Sequence, residues 1–567
     1  MATRNLRRFF PFLAWFPLRA ENVKADLVAG VTCALLAIPQ SLAYAQLAGV
    51  PAHYGLYAAL LPTIIGALFG SSGVLSTGPA AMTALLTAAS VAQFAPAGSE
   101  QFYAYAVTLA LLSGLFQIAF GVMRMGVLLN FMSYPVLMGF INAAAIIIGL
   151  SQLPMLLGMK LAQSNHFLAD IWSTLAHLDT LHEMSLGLGV TAIVLLFAFK
   201  KFAPRWPGVL LTVAVMTLAS YLLDYERLGG NVVGDIPQGL PGVSLPQSDW
   251  PAVRALLSGA FLIALISFME AMSSCKIVAI KTRTAWDENQ ELIGQGLAKV
   301  AAAFSHAIPV SGSFSRTAVN LAAGARTGIA SLISAAVVMA TLLFFTPLLH
   351  HLPKPVLAAI IMVAITSLAD YASIRKAWRA GRDDGIAAII TFVTTLAFAP
   401  SIQVGILTGI LLSLALLLYR MMRPRVAVLG LHADGTLRDA QRLQLPVLHP
   451  ELGAIRFDGS LIFVNVSYFE DAILRLENNV PGLKYILVAS GGINAIDASG
   501  IEVLSNLVDR LKANGITLSF SGIKQQVLVV MEHTGLAHRI GAANIFPTDR
   551  IGLDALLQRL NAPRFGS

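Results

Sequence analysis

Two short stretches far apart in the chain carry residue types suited to holding an anion: Ser76-Thr77-Gly78-Pro79-Ala80-Ala81-Met82 and Pro309-Val310-Ser311-Gly312-Ser313-Phe314-Ser315-Arg316-Thr317. Each interrupts an apolar run with Gly, Pro or Ser and then restarts it as a short helix. A helix N-terminus offers unpaired backbone N–H groups and about half a positive charge, so two of them converging make an anion pocket. Arg316 adds a cation at membrane depth, where charged side chains are rare and usually face a cavity. It is expected to raise the local positive potential, with direct coordination left to the backbone N–H groups of Ala80, Ser315 and their neighbours. The competing reading makes Arg316 structural, paired with backbone carbonyls or with Glu270. Ser311, Ser313 and Ser315 fit simple helix capping as well, and Thr77-Gly78-Pro79 shares that ambiguity, with Pro79 suited to a first helical turn. Gly78 and Gly312 would let the two stretches approach closely.

Further polar residues stand in apolar surroundings. Glu270 is the one acidic residue of Phe261–Met272, a candidate proton acceptor or half of an ion pair with Arg316, and Ser274 follows one turn later on the same side. Gln40 and Tyr44 share a face four residues apart, which suits either a pocket wall or plain packing. Glu291, Gln295 and Lys299 recur at four-residue spacing and are expected to form a polar stripe within one helix rather than part of a transport site.

These residues need a membrane around them. With 56% hydrophobic and 12% charged residues the chain would expose far too much apolar surface as a soluble globule. At about 20 residues per span, Leu27 to Tyr419 holds roughly 12 to 14 helices. The apolar runs are Leu27–Ala48, Tyr54–Gly70, Pro79–Ala92, Tyr103–Met123, Gly126–Gly149, Ser185–Phe202 and Pro207–Leu223, then Val253–Ile280, Gln290–Ala307, Phe314–Ala323, Gly328–Leu349, Pro355–Ala369, Gly385–Phe398 and Ile402–Tyr419. They form two sets of seven with the short member third in each, and an odd number of spans inverts the second set. The repeats are expected at about 25–225 and 253–420.

Basic residues test that topology independently. Arg4, Arg7, Arg8, Arg19 and Lys24, then Lys200, Lys201 and Arg205, then Arg375, Lys376, Arg379 and Arg382, and finally Arg420, Arg423 and Arg425 crowd one side, against only Lys160, Arg227, Arg254 and Lys354 on the other. By the positive-inside rule both ends are cytoplasmic, and the net charge of +8 is an orientation signal that needs no nucleic acid. The N-terminal residues, with Pro11 and Pro17, do not read as a cleavable signal. Cys33 and Cys275 lie in apolar runs, so neither a disulfide nor a metal site is expected.

After Arg425 the composition becomes that of a soluble α/β domain, giving expected parts of 1–24 (cytoplasmic segment), 25–422 (membrane domain) and 423–567. Strands are expected at Ala454–Asp458, Leu461–Val464, Tyr485–Ala489 and Thr517–Ser521, with helices at Tyr468–Glu477, Ser499–Ala513 and Gln525–Gly535. His432–Pro450 would be a connection or a first hairpin.

Several motifs in order now point to a family. They are Ile38-Pro39-Gln40-Ser41-Leu42-Ala43-Tyr44-Ala45, Tyr54-Gly55-Leu56-Tyr57-Ala58, Ser76-Thr77-Gly78-Pro79, Asn289 to Leu297, Gly312 to Asn320, Ala323-Gly324-Ala325-Arg326-Thr327 and, in the tail, Ile496-Asp497-Ala498-Ser499-Gly500-Ile501. Nearly the whole chain resembles the SulP/SLC26 anion transporters, which join a fourteen-helix domain of UraA/SLC26-like 7+7 inverted repeats to a cytoplasmic STAS domain. The resemblance implies that Gln40, Tyr44, Ala80 and Phe314 line the substrate pocket, that Glu270 faces it, and that Glu270 with Ser274 serves a coupling ion, H+ or Na+. Ser499 matches the serine phosphorylated in soluble STAS proteins, although it or Asp497 is more simply the N-cap of the next helix. STAS implies regulation, homodimer contacts or a cytoplasmic protein partner. Two positions depart from the family: Gln40 stands where some proton-coupled relatives have Glu, and Lys299 where relatives often have Asn.

The expected function is therefore secondary active transport of a small inorganic or organic anion across the inner or plasma membrane by alternating access, with sulfate first, bicarbonate second, and dicarboxylates or chloride after them. No enzyme chemistry, cofactor or nucleic-acid partner is expected, and no Gly-x-x-x-x-Gly-Lys-Ser/Thr loop for ATP is present. Two readings of other classes are an anion sensor acting through STAS, and a nucleobase permease, which Arg316 and the tail disfavour.

Overall fold

The computed structural model describes residues 10–126, 133–159, 167–203, 206–246, 249–366, 369–399 and 401–561; Arg4, Arg7, Arg8, Lys160 and Arg205 lie outside them. The chain divides into two compact units, Met1–Ser413 and Leu414–Ser567. A helix stands in the place of each apolar run: α1 Ala20–Leu47, α2 Ala52–Phe69, α3 Ala81–Val91, α4 Glu100–Val122, α5 Tyr134–Ser151, α6 Glu183–Phe202 and α7 Gly208–Leu222, followed by α8 Trp250–Thr282, α9 Glu288–Phe304, α10 Phe314–Ala322, α11 Ile329–Ala340, α12 Lys354–Ile365, α13 Arg382–Ala397 and α14 Gln403–Met422. Among the described residues eight helices are long and apolar enough to cross a membrane by themselves, which is consistent with the larger number of segments. The protein is a polytopic helical membrane protein.

Local chemistry sets the ends. Ser99, Asp249 and Asp287 cap α4, α8 and α9 by accepting from Phe102 N–H, Ala252 N–H, and Asn289 and Gln290 N–H. α2 breaks between Ala58 and Leu61, ahead of Pro62. α11 does not continue as an α-helix to Leu349; it loosens into a π-helix over Thr341–Phe345 and tightens into a 3₁₀ turn over Thr346–Leu349, before Pro353. Among the helices that the sequence reading does not give are Phe167–Ala176 and Tyr371–Ala380 in the first unit and, in the second, Leu536–Ile540 and Asp549–Asn561. Tyr371–Ala380 is capped by Asp370 and hides behind its basic residues in what reads as a loop.

Small residues let the helices carrying the site approach closely. A Cβ on Gly114 would stand 2.7 Å from the Gly296 carbonyl oxygen, and one on Gly296 equally far from that of Gly114, so α4 and α9 cross backbone to backbone. The buried Asp26 of α1 ties the loop between α10 and α11: Oδ1 accepts from Arg326 N–H (2.6 Å) and Thr327 N–H (3.1 Å), and Oδ2 from the Thr327 hydroxyl (2.5 Å).

The second unit holds a six-stranded sheet. Strands β3 Arg425–Leu431, β4 Leu437–Asp439, β5 Leu452–Asp458, β6 Tyr485–Ala489, β7 Thr517–Ser521 and β8 Ile545–Phe546 lie in the order β4-β3-β5-β6-β7-β8; β3 runs antiparallel to β4 and β5, and β5 to β8 are parallel. β3 and β4 are the first hairpin, beginning earlier than His432. Leu461–Val464 is not a strand. Leu461 makes a single bridge to Ile496, and Phe463 N–H is taken by the Asp497 carboxylate at 2.8 Å, so the backbone turns toward a helix cap instead of extending a ladder.

Candidate functional site

The two glycine-bearing breaks meet. Thr77–Gly78 (β1) and Ser311–Gly312 (β2) pair as an antiparallel two-stranded ribbon, with Thr77 opposite Gly312 and Gly78 opposite Ser311. Ser313 N–H extends it by donating to the Ser76 carbonyl (2.9 Å), and Ser76 N–H donates to the Thr317 hydroxyl (3.0 Å). A ribbon of this kind satisfies backbone groups that lipid cannot, which is why irregular backbone survives at this depth. α3 and α10 begin just beyond the two ends of this ribbon, at Ala81 and Phe314.

The two N-termini differ. In α10 the Ser313 hydroxyl is the N-cap, 3.4 Å from Arg316 N–H and from the Ser315 hydroxyl. In α3 the N-cap position is the buried, extended Ala80, with no side chain capping the first turn. Pro79 precedes that cap rather than occupying the first turn as expected, and its carbonyl accepts from Arg316. Ser311 is not a cap either. It lies in β2 and its hydroxyl stands 3.0 Å from both the Ser267 carbonyl and Glu270 Oε2.

Arg316 is 1% exposed and reaches across the ribbon. Nη1 donates to the Pro79 carbonyl (2.7 Å), Nε stands 3.4 Å from the Ser76 hydroxyl, and Nη2 is buried with no protein partner. A Cβ on Gly78 would stand 2.9 Å from Nη2, so the missing side chain keeps that donor clear. The guanidinium thus spends one arm on backbone and leaves the other, a charged donor, without a protein partner among the described residues. It forms no ion pair with Glu270, whose carboxylate is held by Ser311 instead.

The other expected residues fall around this core. Gln40 and Tyr44 are both buried on α1, and Gln40 Oε1 has no partner; Tyr44 stands within electrostatic reach of Arg316 and Glu270. Phe314 is 45% exposed at the start of α10. Ser274 is buried one turn after Glu270, but its hydroxyl donates to the Glu270 backbone carbonyl (3.1 Å) and not to the carboxylate. Ser499 belongs to the other unit, exposed in the first turn of the helix Ala498–Ala513, whose N-cap is Asp497.

The polar stripe of α9 is not confined to its helix. Gln295 does bond Glu291 (3.0 Å), yet it also donates to the Thr77 hydroxyl (2.7 Å), and the Glu291 carboxylate accepts from Ser71 N–H (2.8 Å) and Ser72 N–H (3.0 Å) at the end of α2. Lys299, fully buried, donates to Gln117 Oε1 of α4 (2.7 Å) and the Ser267 hydroxyl of α8 (2.8 Å). Sequence reasoning missed Gln117 and Ser267 here; the only signal was a lone amide in the apolar run of α4.

Comparison with known proteins now bears on this geometry. Residues 23–391 match the Sulfate permease family and residues 446–550 the STAS domain. The chain is 32% identical to Probable sulfate transporter 4.2 of Arabidopsis thaliana, across 98% of this chain and 84% of that one. It is 31% identical to a probable sulfate transporter of Mycobacterium tuberculosis, across 95% and 96%. Its fold is that of the murine Solute Carrier 26 family member A9 anion transporter, solved in the inward-facing state, with a TM-score of 0.90 at 22% identity over 98% of this chain and 95% of that one. The transmembrane domain of the cyanobacterial bicarbonate transporter BicA aligns with 69% of this chain and 98% of its own at 26% identity and a TM-score of 0.60.

Proposed function

The chain belongs to the sulfate permease family, and from that premise we propose that it takes up sulfate by proton-coupled secondary transport, binding the anion between the N-termini of α3 and α10. The observation that carries this is the divided guanidinium of Arg316, with Nη1 on the Pro79 carbonyl and Nη2 buried and free beside the uncapped start of α3. A doubly charged oxyanion losing water would meet one full positive charge and two helix ends, at an effective dielectric where a unit charge pair 4 Å apart is worth about 4 kcal/mol. Glu270, one serine hydroxyl from the ribbon, is the coupling carboxylate in this reading. α1, α3, α8 and α10 would move together against the remaining helices to expose the pocket alternately. Bicarbonate is the second reading, favoured by the likeness to BicA. The protein would act as a homodimer in the inner or plasma membrane, both termini cytoplasmic, its STAS domain open to a protein partner.

Reconstitution in liposomes tests this. Radiolabelled sulfate should accumulate, faster with an acid outside. Bicarbonate flux without sulfate flux would replace the substrate, and no flux of either anion under proton or sodium gradients would favour the sensor reading.

A further inference from the structure

Glu226 follows α7 in the first half of the membrane domain, and His350 and His351 precede α12 in the second. The chain brings them together. A short ladder ties the two segments: Val233 N–H donates to the Leu352 carbonyl (2.9 Å), Gly234 N–H to that of His350 (3.1 Å), and Lys354 N–H to that of Asn231 (2.9 Å). At its end a single oxygen, Glu226 Oε2, faces His350 Nε2 at 3.4 Å and His351 Nδ1 at 3.8 Å, and all three atoms lie within 4.8 Å of one another.

Three features distinguish this group from an ordinary surface cluster. Ligand atoms about 2.0–2.1 Å from a tetrahedral zinc ion stand about 3.3 Å apart, close to the separations found here. His350 Nδ1 lies 2.8 Å from Asp235 Oδ1, so Nδ1–H donates to that carboxylate and the Nε2 lone pair is left pointing at Glu226. This is how an outer carboxylate orients a metal-binding imidazole. Lone pair then faces lone pair, an arrangement that calls for a cation between them. The histidine side chains are 28% and 38% exposed, open enough for an ion to enter, and His351 is steadied by Tyr221, whose ring centroid is 5.1 Å away.

We propose that Glu226, His350 and His351 bind a divalent transition-metal ion of the zinc type, with Asp235 orienting His350 and a water or exogenous ligand completing the shell. The site would join the first repeat to the second on the face that the basic-residue asymmetry assigns to the outside. Its alternative is a proton on His350, pairing an imidazolium with the two carboxylates.

The test uses the purified full-length protein, tag removed and metal-stripped, titrated with ZnCl2 in competition with a chromophoric chelator, and separately with CoCl2. One zinc per chain is expected, cobalt should give the visible bands of tetrahedral coordination, and zinc should raise the melting temperature by mass action. His351→Ala and Glu226→Gln should weaken binding at least about tenfold, and Asp235→Ala roughly tenfold through the outer shell. Because these side chains are solvent-accessible, melting of each variant in metal-free buffer should match the parent, which separates lost ligation from lost fold. Absence of stoichiometric zinc, or equal binding by a His350→Ala/His351→Ala variant, would overturn the proposal in favour of the protonated pair or of other histidines.

Discussion

The guanidinium of Arg316 donates from Nη1 to the carbonyl oxygen of Pro79, 237 residues earlier in the chain, at 2.7 Å. This bond joins the start of one half-helix to the start of the other and fixes where the second arm, Nη2, is aimed. In the proposed pocket the structural and binding roles of Arg316 would therefore fall to two arms of one group and need not be rival explanations.

Arg316→Lys separates them. An ammonium keeps the charge but presents its donors from a single nitrogen, so it cannot place one donor at Nη1's position on Pro79 and another at Nη2's position beside Gly78. Loss of one charge-assisted hydrogen bond is worth about 1.5–3 kcal/mol, so half-saturation for sulfate uptake should rise roughly ten- to a hundredfold. Arg316→Ala should abolish saturable uptake. Concentration-dependent flux in liposomes reads both, and an unchanged half-saturation in Arg316→Lys would exclude Nη2 as a ligand.

Glu270→Gln should uncouple transport without unfolding the protein. Its amide oxygen can still accept from the Ser311 hydroxyl, which lies 3.0 Å from Glu270 Oε2. It cannot take up and release a proton. Sulfate exchange should persist while the stimulation by an inward proton gradient disappears. A variant that still responds fully to the gradient would move the coupling site elsewhere.

In the tail the Asp434 carboxyl is held well below the usual carboxylate range, chiefly by the Thr436 hydroxyl (2.6 Å), then by Thr436 N–H, His432 and Arg438. A depressed native value stabilises the fold above the unfolded pKa, about 3.9, and that stabilisation is lost as pH falls through the native value. Asp434→Asn should thus lower the melting temperature of the β3–β4 region near pH 7, with the gap to the parent closing steadily below about pH 4. A gap independent of pH would mean that shape, not charge, holds the turn.

Much of this was legible from residue order because membrane helices announce themselves by long apolar runs, and because Ser76-Thr77-Gly78-Pro79 and Ser311-Gly312-Ser313 break such runs where lipid tolerates no break. What the order of residues does not carry is partnership across the fold. Ser311 reads as a cap because it precedes a helix, yet the ribbon turns its hydroxyl toward Glu270. Lys299 reads as part of a stripe because Gln295 stands four residues before it, yet its partners come from α4 and α8. Tyr371–Ala380 reads as a basic loop because its charges mask a helix capped by Asp370. Glu226 and the two histidines are separated by more than a hundred residues, so no spacing rule joins them.

Lys299 offers the sharpest test of such a hidden partnership. Its ammonium is fully buried and donates to Gln117 Oε1 and the Ser267 hydroxyl, while Gln117 Nε2 donates onward to the Ala264 carbonyl (2.8 Å) and stands 3.0 Å from Ser267 Oγ. Lys299→Met keeps most of the volume but leaves Gln117 Oε1 buried and unpaired, at a cost of about 1–3 kcal/mol. Gln117→Leu alone leaves Lys299 Nζ with the Ser267 hydroxyl as its remaining acceptor among the described residues, and losing one hydrogen bond to a charged group costs about 1.5–3 kcal/mol. Made together, the two changes remove both halves of the polar contact, and an apolar pair of similar size restores packing without a desolvated charge. The double variant should therefore be more stable than Gln117→Leu and no worse than Lys299→Met, with a coupling energy of about 0.5–3 kcal/mol in a double-mutant cycle read by thermal melting. Additive losses would show that Lys299 and Gln117 are independent, and that the cation answers mainly to Ser267 on α8.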